Sequence, residues 1–267
     1  TLTVVGSTDT AYSGVMSGTG SLLKAGTATF TMSGANTYTG GTTINAGTLA
    51  LGANNVLADT GAVTVAGGAL AMGAYNDTVG SVSITSGQVT GTGTLTASAY
   101  GFSNASGTVT ISIVIAGNVG ITKTGAGILI LSAANTYTGT TTVTEGTLVV
   151  TNSAGLGSTA GGTTVAAGAT LDLQNVAVGA EPITLAGGTL TDVTSSLAGN
   201  IILTADSNFG ATNLGDTFTL SGVISGNYAI TKIGAGTVVL SGANTYSGTT
   251  TVSAGTLSVT GSLADTT

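Results

Sequence analysis

The sequence predicts an all-β chain wound as a parallel β-helix, a β-solenoid of about twelve coils of 19–23 residues, forming one 267-residue domain. Three observations predict it. One long stretch occurs three times without gaps, at 24–49, 123–148 and 232–257. A shorter unit, apolar–x–x–Gly–x–apolar, returns at shifts of roughly 19 to 23 positions within and between those copies. The composition is that of strands bounded by tight turns: 42% apolar, 5% charged, 4% aromatic, 45 glycines and one proline, Pro182.

The central copy reads KTGAGILILSAANTYTGTTTVTEGTL. The first reads KAGTATFTMSGANTYTGGTTINAGTL, and the third KIGAGTVVLSGANTYSGTTTVSAGTL. Within NTY…GTL the second and third copies agree at eleven of fourteen positions. Each copy extends upstream, because SGVMSG, SIVIAG and SGVISG start eleven residues before Lys24, Lys123 and Lys232. Those lysines are all the Lys and Arg in the chain. The repeat-defining positions are therefore Lys24, Asn36, Tyr38 and Gly47; Lys123, Asn135, Tyr137 and Gly146; and Lys232, Asn244, Tyr246 and Gly255. The modules they define span about 1–107, 108–212 and 213–267, and the interval from Tyr137 to Tyr246 is longer than that from Tyr38 to Tyr137.

The short period gives the coil. TINAGTLAL at 43–51 returns as TVAGGALAM at 64–72, and SITSGQV follows at 83–89. One such turn of chain cannot bury its own inner face. Stacking the next about 4.8 Å away pairs the backbones and aligns Ile44–Val65–Ile84 and Leu49–Leu70–Val89 as inward ladders. Stacked coils of that kind need sharp corners, which the glycines supply. A β-sandwich array would show turn signals every 8 to 12 positions, and a propeller a period of about 40 to 50. The solenoid accounts for the observed period better than either.

Each motif has a plain structural reading. NTY followed by Thr or Ser and Gly reads as a tight corner, with the alternative of an exposed tyrosine recognition loop. The lysines read as turn-capping or snorkelling side chains, since three equivalent positions cannot all be one active site. The Thr runs at 140–142 and 249–251 recur with the large modules and not on nearly every coil, which argues against a flat ice-binding face. The ten carboxylates are scattered, without the clustering a calcium loop requires, and read mostly as solvated turn residues.

Charge and composition exclude several functions. The net charge is −7 with no His, so no phosphate-neutralising surface and no nucleic-acid partner is expected. Without His, and with three dispersed lysines, general acid–base or oxyanion chemistry has no equipment, and the chain is expected to be no enzyme. Cysteine is absent, so neither disulfide nor thiolate metal site arises; no cofactor and no metal are expected. No apolar run is long enough to span a bilayer.

The pattern K-x-G-x-G-x-L-x-L-S-G-A-N-T-Y-x-G-x-T-x-V-x-x-G-T-L resembles the autotransporter-associated β-strand repeat, or passenger-associated transport repeat, of Gram-negative surface proteins. The resemblance covers the three long copies, and the first departs from it at residues 28–30. It implies a right-handed β-helix that is exported and displayed outside the cell or on the bacterial outer surface. Such passengers serve as stalks, adhesins or scaffolds.

The ends match each other. Asp265–Thr267 joined to Thr1–Gly6 of another copy gives DTTTLTVVG, which follows the apolar–polar pattern of DTGAVTVAG at 59–67. The chain begins with Thr1, shows no leader and no capping helix, and is expected to be either processed or a piece of something longer. Thr1, Leu2, Val4, Leu263, Asp265 and Thr267 are thus the expected contacts of a head-to-tail homopolymer, a surface fibre, sheath or stalk. The competing expectation is an adhesin whose lateral face binds cell-surface or matrix molecules.

Overall fold

The computed structural model describes residues 1–264. It is a parallel β-solenoid of about 13 turns, one more than the sequence period suggests, with no helix among the described residues. None is therefore long and apolar enough to cross a membrane. The coils lay down short strands on up to three faces, here A, B and C.

Face A runs from Leu2–Val4 through Leu22–Lys24 and Thr42–Ile44 to Ile224–Ser225. Face B carries Thr10–Tyr12, Thr29–Met32 and Thr48–Leu51, and continues to Thr250–Val252. Face C is less regular, with Asp77–Val79, Thr94–Ala97 and Val114–Ala116 in one sheet and five later strands in another. Two long strands, Ala62–Gly73 and Ser81–Gly91, turn the A/B corner without a break, so faces A and B form one 23-stranded sheet.

Alternation decides the core. Side chains two apart on a strand share a face, so every second residue points inward and stacks on its counterpart in the next coil. On face A the inward column reads Lys24, Ile44, Val65, Ile84, Phe102, Lys123, Val143, Val165, Leu185 and Leu203 in strict register. On face B, Leu49, Leu70 and Val89 align as the period requires. These apolar residues are buried, each contributing on the order of 1.5–3 kcal/mol of transfer free energy. The outward column of face A reads Thr43, Thr64, Ser83, Gly101, Thr122, Thr142, Thr164 and Thr184. Threonine thus recurs on this face but is interrupted by Leu23, Ser83, Gly101, Ile202 and Ser225.

The repeats do not all sit at the same angle. Lys24 and Lys123 are both on face A, five coil steps apart by the register above, and their NTY turns lie on face C. Five further coils lead from Lys123 to Ile224–Ser225 on face A, and the Lys232 strand, Ile230–Ile233, follows one face later. Ile230–Ile233 pairs with Ser207–Gly210 on face B, and Thr237–Leu240 joins face C. The longer second interval thus spans five turns and a third, and the third repeat is rotated by one face about the axis.

The repeat corner and the candidate lateral surface

The three lysines are core residues. Lys24, Lys123 and Lys232 are 1%, 0% and 1% exposed. Their parity explains this: in Ile121–Lys123 the isoleucine and the lysine both point inward, and Lys123 follows Phe102 in the column. Each ammonium is solvated by backbone. Lys123 Nζ donates to the carbonyls of Thr124 (3.0 Å), Gly125 (2.5 Å) and, one coil on, Glu145 (3.3 Å). Lys232 Nζ donates to Ile233 (2.7 Å), Gly234 (2.9 Å) and Ala254 (3.1 Å). Lys24 Nζ repeats the pattern with Gly26 and Ala46 (3.2 Å). Burial pulls all three ammonium groups below the usual lysine value, and the nearby carboxylates of Asp9 and Glu145 oppose this at Lys24 and Lys123. The lysines therefore cap turns from inside; they do not snorkel to the surface.

The last glycine of each repeat completes this cage. Gly47, Gly146 and Gly255 have φ of 62°, 69° and 65°, a left-handed conformation that favours glycine. A Cβ there would also collide with the carbonyls of the preceding coil, including those of Gly125 and Gly234 that accept from the lysines.

Asparagine ties three coils together. Asn36 Oδ1 accepts from the Met16 N–H (2.7 Å), and its Nδ2 donates to the carbonyls of Gly34 (2.8 Å) and Val56 (2.7 Å). Asn135 joins Ile115 to Gly155, and Asn244 joins Ile224 to Ser262. Met16, Ile115 and Ile224 belong to the motif that precedes each lysine, so this bond is why that motif travels with the repeat. Tyr38, Tyr137 and Tyr246 are 3%, 0% and 3% exposed, with hydroxyls paired to Thr42 (2.5 Å), Thr141 (2.6 Å) and Thr250 (2.8 Å). Burial raises the phenol pKa of each. The exposed-tyrosine reading of NTY is thereby removed: the corner presents Thr37, Thr136 and Thr245 to solvent instead.

Three carboxyls depart from the expectation of solvated turn residues. Asp77, Glu181 and Asp192 are 2%, 2% and 0% exposed. Asp77 Oδ2 accepts from the N–H groups of Val56 (2.9 Å) and Leu57 (3.0 Å), Glu181 Oε1 from the Thr163 hydroxyl (2.8 Å), and Asp192 Oδ2 from Ser195 N–H. The second oxygen of each has no partner among the described residues. Desolvation raises Asp77 to about 6 and Glu181 and Asp192 to about 7. Asp77 and Asp192 take inward strand positions, in parity with Val79 and Leu190, where alternation calls for an apolar side chain, and Glu181 lies outside any strand; pattern reading therefore misses their burial. Among the described residues no group of three or more acidic, His or Cys side chains could hold a metal ion.

At the expected assembly ends, Thr1 Oγ1 lies 2.8 Å from Ser21 Oγ, and Leu2 and Val4 pair with Leu22 and Lys24. Leu2 is 49% and Leu263 41% exposed. Asp265 and Thr267 lie outside the described residues.

The family model of the passenger-associated-transport-repeat matches residues 22–51, 121–150 and 230–259. The three matches, of 30 residues each, cover about a third of the chain. Each match begins on the strand that bears the buried lysine and ends on the strand after the repeat's last glycine, so the family pattern coincides with the clamp described above. A stretch of 141 residues, 51% of this chain, is 36% identical to the adhesin BmaC autotransporter of Brucella suis biovar 1 (strain 1330). That stretch spans 4% of the relative's length. No solved structure matches the chain.

Proposed function

We propose that the chain is a non-enzymatic length of an extracellular autotransporter passenger, a stiff solenoid that carries adhesive lateral surfaces at the bacterial outer surface. The observation that supports it most is the fate of the repeat's own polar groups. Lysine, asparagine and tyrosine are engaged in hydrogen bonds within and between successive coils and leave the outer faces largely to Thr, Ser and Asn side chains. The repeat therefore serves the rod, and contact with partners falls to what the rod displays. The kinship with an adhesin favours cell-surface or matrix molecules as partners. The test is binding of the purified chain to host cells and to immobilised matrix. Saturable binding by soluble protein supports the reading, and its absence on every surface removes the adhesive part of it.

A second reading is head-to-tail stacking into a fibre. Its support is the exposed apolar side chains on the first and last described coils, Leu2, Val5, Val252 and Val259 among them. Another coil placed against either edge would bury them and pair the open backbone. Sedimentation of the chain as long polymers at micromolar concentration supports this reading, and a monodisperse monomer removes it.

A further inference from the structure

The B/C corner of the second module departs from the way this chain makes turns elsewhere. Where the backbone enters the left-handed region the chain almost always uses glycine, but Asn175 (φ 54°) and Thr194 (φ 51°) adopt it on consecutive coils. Asparagine tolerates this conformation; a β-branched threonine does not, and glycine would be the unstrained choice. Strain of this kind persists where the surrounding structure over-determines it, here with the Asp192 carboxylate accepting from the Ser195 N–H, and it clusters at ligand-binding sites.

Both side chains are exposed and both line the same shallow, open groove, which crosses three coils. Ser196, Thr217 and Thr219 complete its polar wall, with Ser196 in register with Thr219. Among the described residues none of these five side chains makes a hydrogen bond to the protein, whereas buried Ser195 beneath them is bonded to Leu173 O (3.1 Å) and to Val176 N–H (3.2 Å). The third non-glycine residue in the left-handed region, Asn55, also lines a cavity, beside Thr37, Asp59 and Thr60.

We propose that the groove at Asn175, Thr194, Ser196, Thr217 and Thr219 binds an uncharged glycan chain laid along the solenoid axis. The wall offers hydroxyls and one amide, each able to donate and accept, at intervals of about 4.8 Å from coil to coil. That array fits a ligand with regularly spaced hydroxyls. Charge excludes an acidic one: the chain's three cations are all buried in the core, and its net charge is −7. The inference rests on the adhesive-passenger reading and deepens it by naming a site and a ligand class.

Uniformly labelled chain is titrated with neutral hexasaccharides of glucose, mannose and N-acetylglucosamine, with a hexuronate as the charged control, and backbone amide shifts are followed. Saturable shifts confined to 175–177, 194–196 and 217–219 with a neutral sugar are expected, and none with the hexuronate. Thr194→Gly relieves the strain, so its denaturation midpoint is expected to rise while the binding constant falls about fivefold, the loss of one hydrogen-bonding side chain. Absence of shifts with all neutral sugars, equal binding by T194G, or preference for the hexuronate overturns the proposal. If the unmodified chain still adheres to cells while any of these holds, the groove is wrong and the passenger reading stands.

Discussion

Lys123 and Lys232 hold the same place in two repeats yet enter the core from neighbouring faces. Lys123 stacks between Phe102 and Val143 on face A, and Lys232 between Phe209 and Val252 on face B. The repeat thus carries its whole environment with it. Its fold does not depend on which face it starts from, because the bonds of the clamp are made within its own coil or to the coil before or after it.

The clamp itself is the first thing to test. Lys123→Met keeps much of the length of the side chain but leaves the carbonyls of Thr124, Gly125 and Glu145 without their donor. The expected loss is about 2–4 kcal/mol in urea unfolding. Gly146→Ala forces a side chain into a left-handed turn and against neighbouring carbonyls, and is expected to cost at least about 2 kcal/mol. A neutral result for both would mean the lysine cage contributes nothing.

Asparagine at the corner is expected to be more specific than its size suggests. Asn135→Asp keeps the acceptor for Ile115 N–H but replaces the donor to Gly155 O with an oxygen. The expected loss is about 1–3 kcal/mol, no smaller than for Asn135→Ala. Thermal unfolding of the two variants side by side checks this, and an Asp variant as stable as the parent would contradict it.

Stability should fall as pH rises. In the unfolded chain Asp77, Glu181 and Asp192 titrate near 4, whereas burial raises them in the fold to about 6, 7 and 7. Between about pH 4 and 7 the folded state therefore holds more protons than the unfolded one, so the stability these groups contribute in acid is lost as pH rises through their folded values. The urea midpoint is expected to be higher at pH 4 than at pH 8. The triple variant Asp77→Asn, Glu181→Gln, Asp192→Asn should flatten the profile, and a midpoint that climbs from pH 4 to 8 would contradict the burial described here.

The rotation of the third repeat is measurable in solution. Thr39, Thr138 and Ser247 are the exposed residues that follow the three tyrosines. Spin labels at 39 and 138 share a face and are expected about 24 Å apart, five coils at about 4.8 Å each. Labels at 138 and 247 should be farther apart, since a lateral offset adds to a similar rise. Equal distances would place all three repeats on one face.

How far the sequence discloses this structure depends on whether a feature repeats. Ile44–Val65–Ile84 and Leu49–Leu70–Val89 are legible because alternation and the coil period both point to them. The lysines are half legible: Ile121 and Lys123 share a strand parity, but a charge at an inward position breaks the apolar pattern that would place it there. Only the carbonyl cage resolves that conflict. The face change is encoded in the longer interval between the second and third repeats, yet coils of unequal length hide it: Ile183 to Ile201 and Ile201 to Ile224 are each one turn. Asp77 and Asp192 are half legible in the same way, since they share inward parity with Val79 and Leu190, and Asp77 accepts from the Val56 N–H as Asn135 does from Ile115; Glu181 and Thr194 lie outside the strands, where no alternation reaches them.

Negative-stain electron microscopy of the purified chain tests the central claim most directly. Dispersed straight rods on the order of 60 Å long, about 13 turns at about 4.8 Å, are the predicted result. Compact globules, or particles of varied length and curvature, would contradict a stiff solenoid built to hold lateral surfaces at a distance.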